Sequence, residues 1–546
     1  MSKMARVKTV NLWNKKTGNN RKKMRIVGYH ISGKVIANSD GEVCIEPPYL
    51  DFLLEQKLDA IKVLYHMDYN LADLLGLINL TEAEARKLQT ENRLYISPYT
   101  LKYIAGKFFS IKKGHQYDYL LANFSNMSQY KSVRLEENET VEDCLAKARE
   151  AQKIGERVYA VLLAVGLHPI SLTSPINAYE KEILARMDLP TIDDMPEEAG
   201  YYAYQCLHGN WLEAFQLGQW EQVYDYDINS AYPAELAQLL DIRLGKWVKS
   251  NQWIAEATYG YCKGVVTITA PFSPIIYTSG KSGNSLNYTP TGSRETYLPK
   301  QSIEFIHKWR QGKFELEDGW WWIADKKERP LRNIIEQLYR EKEQSSGLEK
   351  EVIKRIMSGV WGKFLQVQRD GFGDRFNPVY GTEAETNTRL KVAEFVLQNK
   401  VQPIHIAVDG VLTAKPVSLS NGSSKIGRWE LTSIAPCICA GTAVVAIQGK
   451  EKAADFSLDY DWLMEQIKEN PEAKKYSMEK LSPVTLAVAL KGNWDKLGQL
   501  RKITKTIDIG SDVKRCYRKA PECGKDLLGK YYDSEPWDIS LLSKPA

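Results

Sequence analysis

The chain has 546 residues, of which 43% are apolar, 10% aromatic and 26% charged. That length exceeds one typical core and predicts roughly two to four domains, and the composition excludes a wholly disordered chain. The formal net charge of +5 says little about partners, but its distribution says more. The first 25 residues carry nine Lys or Arg, including Arg21, Lys22, Lys23 and Arg25, and no acid; residues 491–530 carry eleven basic residues against five acidic ones. Such local positive fields suit a polyanion, although a solvated surface has the same composition. The eight cysteines do not make a disulfide scaffold, and neither Cys437 with Cys439 nor Cys516 with Cys523 has the paired spacing of a zinc knuckle. No apolar run approaches about 18 residues, and no apolar stretch with a cleavage site follows the basic amino terminus. Neither a membrane span nor a signal peptide is expected, and a reducing, intracellular setting fits best.

In chain order, residues 24–35 read as a strand turning at Gly33. Ile61 to Tyr65 reads as a second strand leading into a helix-like run from Leu71 to Leu77. Apolar pieces near 99–110 and 154–165 complete a mixed domain that ends near residue 205, after a Pro- and acid-rich stretch. Val223 to Ile228 then predicts a short strand entering a helix at Ser230. Residues 270–300, rich in Pro, Gly, Ser and Thr, read as an elaborated turn region. The segment 331–364 predicts two helices broken near Ser345 to Gly347. Ile404 to Val408 reads as a strand ending at Asp409 and Gly410, and the last hundred residues mix helical and irregular signals. No repeats occur.

Two strand-end acids stand out. In Asp227-Ile228-Asn229-Ser230-Ala231-Tyr232-Pro233 an acid ends a strand, and Ser230 is placed to cap the next helix, turning its backbone amides toward phosphate oxygens. In Ile406-Ala407-Val408-Asp409-Gly410-Val411 apolar flanks bury a strand and the turn exposes one acid. Brought together, the two would form a hard, oxygen-rich site for magnesium, the ion that phosphoryl transfer uses. Taken singly, each reads better as an ordinary turn residue or helix cap than as a metal ligand.

The surrounding words decide between those readings. DINSAYP resembles the first catalytic motif of family B DNA polymerases. Lys354-Arg-Ile-Met-Ser358-Gly359-Val-Trp361-Gly362-Lys363-Phe364 resembles the fingers-helix motif, and Asp409 falls at the second acid of the third motif. Lys425-Ile-Gly427-Arg428-Trp429-Glu430 resembles the element after that motif in the compact protein-primed viral and plasmid branch. The motifs occur in family order, and the resemblance is strongest from about 205 to 435. It implies an α/β and α+β multidomain fold, a right hand of palm, fingers and thumb behind an RNase H-like exonuclease-type domain. The expected boundaries are 1–205 exonuclease-like, 206–325 palm with an insertion, 326–370 fingers, 371–440 palm and 441–546 thumb-like. It implies Asp227 and Asp409 as ligands of Mg2+ (or Mn2+), and Lys354, with Lys342 as helper or surface lysine, on the triphosphate of a dNTP. Tyr232 would lie beneath the nucleotide sugar and obstruct a 2'-hydroxyl, favouring deoxynucleotides. Trp361 would offer a flat surface to the nascent base pair, and Ser358, also assigned to the nucleotide site, would leave a small, adaptable helix face.

This chain also departs from the family pattern. Ala407 replaces the first acid of the third motif, Ser358 and Trp361 replace Asn and Tyr in the fingers, and Gly441-Thr442-Ala443 lacks the primer-contacting Lys-x-Tyr. In the exonuclease-type domain, His30 and Ser32 stand where an Asp-x-Glu is expected. In His66-Met67-Asp68-Tyr69-Asn70-Leu71, Leu71 takes an acidic position, and Asn126 takes another. A hard ion finds poor ligands there, so proofreading is expected to be lost.

Gln205 to Trp211 resembles a degraded Tyr-x-Gly-Gly template-binding linker in which Gly209 survives, Asn210 replaces the second glycine, and Trp211 reads better as core than as a stacking platform. Lys496, Arg501, Lys502, Lys514, Arg515, Arg518 and Lys519 would contact duplex phosphates. The partners implied are template and primer DNA, and a terminal or other replication protein has room to dock between Pro233 and Lys354. The interval from Phe364 to Asp409 is too short for a second insertion. The function implied is template-directed DNA synthesis without proofreading. The alternatives are untemplated or RNA-directed nucleotidyl transfer, or an inactive DNA-binding scaffold.

Overall fold

A computed structural model describes residues 24–54, 60–65, 73–104, 108–114, 116–121, 139–169, 172, 174–279, 286–368, 371–419, 425–442, 444–450, 458–492, 494–497, 499–509, 515–517 and 534–536. The chain divides into two compact units. One comprises residues 1–187, 340–356 and 479–504; the other comprises 188–339, 357–478 and 505–546. The assignments to residues 66–71, Asn126, Arg21, Lys22, Lys23, Lys514, Arg518 and Lys519 lie outside the described residues, as does the side chain of Arg515.

The first unit is built on an eight-stranded sheet. Its strands are β1 (Arg25–Ser32), β2 (Val35–Asn38), β3 (Val43–Cys44), β4 (Ala60–Leu64), β5 (Arg93–Ile96), β6 (Tyr99–Ile104), β7 (Phe108–Lys113) and β8 (Gln116–Leu121), in spatial order 3-2-1-4-8-7-6-5. β1 pairs antiparallel with β2 and parallel with β4. Seven of its eight residues are buried, because both faces are covered. Val27, Tyr29 and Ile31 enter a core with Leu50, Leu53, Leu74 and Phe109. The alternate residues face the helix α1 (Val141–Ala164), which opens on a reciprocal cap between Thr140 and Asp143. Gly28 is required by that packing: a Cβ there would lie 1.9 Å from the carbonyl oxygen of Ala148 and 2.5 Å from the amide of Gln152. Arg157 of α1 donates from Nε and Nη2 to the Glu349 carboxylate, both at 2.9 Å, within this unit.

The second unit is described from β9 (Leu212–Ala214), β10 (Gly218–Ile228), β19 (Pro403–Ala407), β20 (Gly410–Thr413), β21 (Trp429–Gly441) and β22 (Val444–Ile447), an antiparallel sheet in order 22-21-10-20-19-9. A second sheet, in order 11-16-12-15, contains β11 (Gly245–Lys249), β12 (Tyr259–Ile268), β15 (Gly292–Pro299) and β16 (Gly312–Ala324). β13 (Tyr277–Ser279) and β14 (Leu286–Tyr288) form a hairpin, as do β17 (Val367–Gln368) and β18 (Gly371–Phe372). The 270–300 region is therefore more than a turn. Its last part is an eight-residue strand whose Leu298 joins Cys262, Val266 and Trp321 in a core of its own.

The helices after residue 188 include α2 (Glu197–Gln205), α3 (Ala231–Leu236), α4 (Lys300–Lys308), α5 (Arg332–Gln344), α6 (Gly347–Phe364) and α7 (Pro378–Asn399), of which residues 340–356 of α5 and α6 fall in the first unit. The break between α5 and α6 falls at 345–346, as the sequence indicates. α7 fills the interval after the fingers motif and was not visible as a helix. It starts with Asn377 capping Tyr380 and Pro378 in the first turn, and it stops at Lys400 in the left-handed region, with φ 50°. It is buried on nearly every side and carries Glu383, Glu385 and Arg389 into the interior. Each has partners: Tyr261 and Gln301 both donate to Glu383 at 2.8 Å, and Arg389 donates to Glu385 at 2.8 Å. Among the described residues no helix is long and apolar enough to cross a membrane.

Two tests follow from this packing. Gly28→Ala forces sheet and helix apart and is expected to destabilise the first unit by about 3 kcal/mol or more, read as a lower melting temperature and faster proteolysis. Burial pushes Glu383 from its ordinary 4.5 up to about 7, against the hydrogen bonds from Tyr261 and Gln301. The folded state therefore holds this proton more tightly than the unfolded chain does. The stabilisation is complete below about pH 4.5 and is lost as pH rises through 7. Glu383→Gln should melt above the wild type at pH 8, by up to about 3 kcal/mol, and the gap should close at pH 5.

Candidate functional site

Asp227 is the penultimate residue of β10. In the antiparallel registers it stands opposite Gly410 of β20 and Glu430 of β21. Asp409 occupies the two-residue turn between β19 and β20, so the sheet brings the two acids to one end of neighbouring strands. The amide of Ile228 donates to the carbonyl of Asp409 at 3.1 Å, tying the strand end to the turn. On the other side, Val408 N–H donates to the carbonyl of Trp211 at 2.8 Å. Val408 has φ 60°, an unfavourable conformation for a β-branched residue, held by these flanking bonds. Gly410 matters for space: a Cβ there would come 3.6 Å from the Asp227 carboxylate oxygen and 3.3 Å from the carbonyl of Tyr226.

Ser230 corrects one expectation. It sits in the left-handed region, with φ 53° and ψ 53°, and makes no side-chain cap. Its hydroxyl instead donates to Asn229 Oδ1 at 3.2 Å. The reason lies in tertiary contacts of the preceding residue. Asn229 is locked by its own bonds, donating N–H to the Arg428 carbonyl at 2.9 Å, accepting the Gly427 N–H at 2.7 Å and donating Nδ2 to Tyr339 Oη at 2.8 Å. The chain must therefore turn sharply into α3, which has only six residues. Gly427, at φ 73° and with Ala234 Cβ 2.8 Å from where its own Cβ would be, explains the glycine in Lys425-Ile-Gly-Arg-Trp-Glu430. Trp429 stacks on Phe395 of α7, with ring centroids 4.1 Å apart.

Tyr232 follows in α3. Its ring lies against that of Trp361, with centroids 4.6 Å apart and planes at 34°, and its hydroxyl donates to Asn210 Oδ1 at 2.7 Å. Burial, with the negative charges of Glu385 and Asp409, pushes its hydroxyl pKa well up, so it stays a donor. The Trp361 indole N–H reaches the carbonyl of Gly381 at 3.2 Å. Asp227, Asp409, Tyr232 and Trp361 thus belong to one unit. Lys342 and Lys354 belong to the segment 340–356 that clusters with the amino-terminal unit. Lys354, Ser358 and Trp361 share one face of α6, with Lys354 and Ser358 exposed. Lys342 is buried, its ammonium 3.3 Å from Glu343, and is not a surface lysine.

Sequence reasoning did not show what supports this site. The linker residue His208 donates its backbone N–H to Glu385 at 3.3 Å, and Arg389 donates to the carbonyl of Gly209 at 3.3 Å. Burial and the Arg389 charge push the His208 imidazole down to about 3, so it is neutral. Trp211 is a core residue with Phe215 and Phe272, and its indole donates to Glu213 at 2.8 Å. β9 then pairs with β19, Leu212 opposite Ala407, which sets the linker beside the Asp409 turn. The charged helix α7 gave no sequence signal, since its buried polar residues mask its periodicity.

In the first unit, His30 and Ser32 are buried on β1. His30 Nε2 meets Glu139 Oε2 at 2.5 Å, and Lys147 pairs with the other carboxylate oxygen of Glu139. Burial pushes Glu139 up, but those two hydrogen bonds outweigh it and hold it at about 2. With Cys144 these form the one group of three or more His, Cys or acidic side chains close enough to share an ion among the described residues. Glu139 lies 109 residues from His30, so no motif could reveal the pair. Its carboxylate is already compensated by protein groups. Of the basic carboxyl-terminal candidates, Lys496, Arg501 and Lys502 are exposed, Lys502 pairing with Glu479.

No family model matches the chain. A DNA polymerase of Acidianus bottle-shaped virus (isolate Italy/Pozzuoli) is 21% identical over 256 residues, 43% of this chain. The match spans 36% of that viral protein's own length. The phi29 DNA polymerase in a ternary complex with primer-template DNA and incoming nucleotide aligns with 89% of this chain and 100% of its own, at TM-score 0.57 and 12% identity. Its orthorhombic crystal form aligns over the same shares at 0.59. These alignments show the fold: the chain has a phi29-type DNA polymerase fold of palm, fingers and thumb with an exonuclease-like amino-terminal domain.

Proposed function

We propose that the chain is a template-directed DNA polymerase that adds deoxynucleotides to a 3'-hydroxyl and does not proofread. The observation that carries this reading is the register of β10 on β20, which sets Asp227 opposite Gly410 with Ile228 bonded to Asp409. In this reading 206–325 and 371–440 form the palm, 326–370 the fingers, 441–546 the thumb and 1–205 the exonuclease-like domain.

The donor set fits a hard divalent cation. Both acids offer carboxylate oxygen, the donor type a hard ion takes, and Gly410 places no side chain beside the Asp227 oxygen. Asp227 and Asp409 would hold Mg2+ or Mn2+. Bound there, such ions supply charge neutralisation of the triphosphate and acidify the attacking hydroxyl. The protein's own part is positioning. The hairpin and the Ile228–Asp409 bond hold the backbone of both acids in place before substrate arrives, which limits the reorganisation the reaction needs. Lys354 contacts the triphosphate of the dNTP from the exposed face of α6. Lys342, buried beside Glu343, is the helper candidate on the neighbouring helix α5. Tyr232 lies under the sugar, and Trp361, with Ser358 on the same face, borders the nascent base pair. With Ala407 in place of an acid, the site works with the minimal acidic pair.

Template and primer DNA are the partners, with the exposed Lys496, Arg501 and Lys502 on duplex phosphates. The sheet within 245–324 occupies the interval where a terminal or other replication protein would dock. His30, bonded to Glu139 in place of an acid, is a poor ligand for the ions that nuclease chemistry needs.

Magnesium-dependent extension of a primer on a defined template checks the assignment. Asp227→Asn and Asp409→Asn should each lower the rate by about a thousandfold or more. A wild-type chain inactive across primers and metals sinks the polymerase reading, and variants that extend normally sink the site. Extension without a template would favour untemplated transfer. In a parallel assay, 3'-labelled DNA should stay intact with magnesium; rapid shortening would overturn the loss of proofreading.

A further inference from the structure

The linker that enters the palm-type sheet is pinned on both sides of a single exposed residue, Asn210. Before it, Glu385 and Arg389 of α7 hold the His208 amide and the Gly209 carbonyl, and Gly209 itself turns at φ 82°. After it, the Trp211 carbonyl accepts the Val408 amide. Asn210 therefore presents its side chain from a rigid backbone, and its Oδ1 accepts the Tyr232 hydroxyl at 2.7 Å. The Tyr232 ring is held by Trp361 on one face, and its tip is held only through this bond among the described contacts.

We propose that Asn210 is a specificity-determining positioning residue: by anchoring the Tyr232 hydroxyl it fixes the ring in the place where it rejects a ribonucleotide 2'-hydroxyl. The proposal rests on the polymerase reading above. A ring rejects an extra oxygen only as firmly as the ring is kept from turning away. The intrinsic barrier to rotation about the Cα–Cβ bond is low, so rigidity must come from contacts. Trp361 packs against the face but leaves the ring edge able to slide; a hydrogen bond at the far end resists that motion with the longest lever arm. Burial, then the nearby charges of Glu385 and Asp409, push the Tyr232 hydroxyl pKa up, and an amide oxygen is a matched acceptor for that hydroxyl. A glycine at 210 would leave the hydroxyl to water. Asn210 touches neither sugar nor phosphate in this scheme, and it acts through Tyr232.

The test uses the full chain and single-nucleotide insertion of dATP against ATP opposite template thymine. The variants are Asn210→Ala, Tyr232→Phe, which keeps the ring and removes only the hydroxyl, and the double substitution. Each single change should raise the ATP to dATP ratio of kcat/KM about three- to tenfold, the worth of one hydrogen bond, chiefly through the KM for ATP. The double variant should go no further than either single one, because both remove the same bond. An unchanged ratio in Tyr232→Phe overturns the proposal, as do effects that multiply in the double variant. Should Asn210→Ala lower the melting temperature sharply, Tyr232→Phe alone decides. A wild type that extends no primer removes the polymerase reading and this assignment with it. Wild-type extension with unaltered sugar selection in the variants removes this assignment alone.

Discussion

The turn Val408–Asp409 is clamped from two sides, and most of the second unit is arranged to hold it there. One clamp is the strand end carrying Asp227, through the Ile228 amide; the other is the linker, through the Trp211 carbonyl. A β-branched residue at φ 60° costs about 1–3 kcal/mol, so the turn would relax if either clamp were released. The antiparallel register then follows. With β20 leaving the turn at Gly410, Asp227 has a neighbour without a side chain, and β21 on the far side returns through Gly427 and Arg428 to lock Asn229. Two acids 182 residues apart in the chain (409 less 227) become adjacent because three separate segments terminate on one another.

Helix α7 is the second constraint. Burying Glu383, Glu385 and Arg389 is unfavourable unless each finds partners, and here the partners lie on other elements: Tyr261, Gln301, and the linker backbone. The cost of burying charge is offset by bonds that fix the direction of the linker. Apolar residues would pack as densely but would leave the His208 amide and the Gly209 carbonyl without these bonds. The polar interior of α7 thus converts helix packing into placement of a loop next to the acids.

How much of this could be read from the residues depended on whether the information was local. β10, the turn at Asp409 and the broken helix pair at 345–346 are written in short apolar runs and their punctuation, and they appear where expected. Trp211 was rightly weighted toward the core. The Ser230 cap failed because capping assumes a free strand-to-helix turn, whereas Asn229 is held by three distant residues. β15 was hidden by its turn-forming composition, and α7 by polar residues whose burial depends on partners up to 180 positions away. The Tyr232–Asn210 bond spans 22 residues, and each partner alone looks ordinary. Of the two readings of Lys342, surface lysine or helper, its burial beside Glu343 removes the first.

The His30–Glu139–Lys147 arrangement limits what position 30 can hold. A carboxylate at position 30 would now meet that of Glu139 at a distance where an imidazole nitrogen sits 2.5 Å away, and two buried acids that close repel strongly. An acid at 30 would therefore need a cation between the two carboxylates or a shared proton, whereas the imidazole of His30 meets Glu139 as a hydrogen-bond partner without either, and Lys147 covers the other carboxylate oxygen.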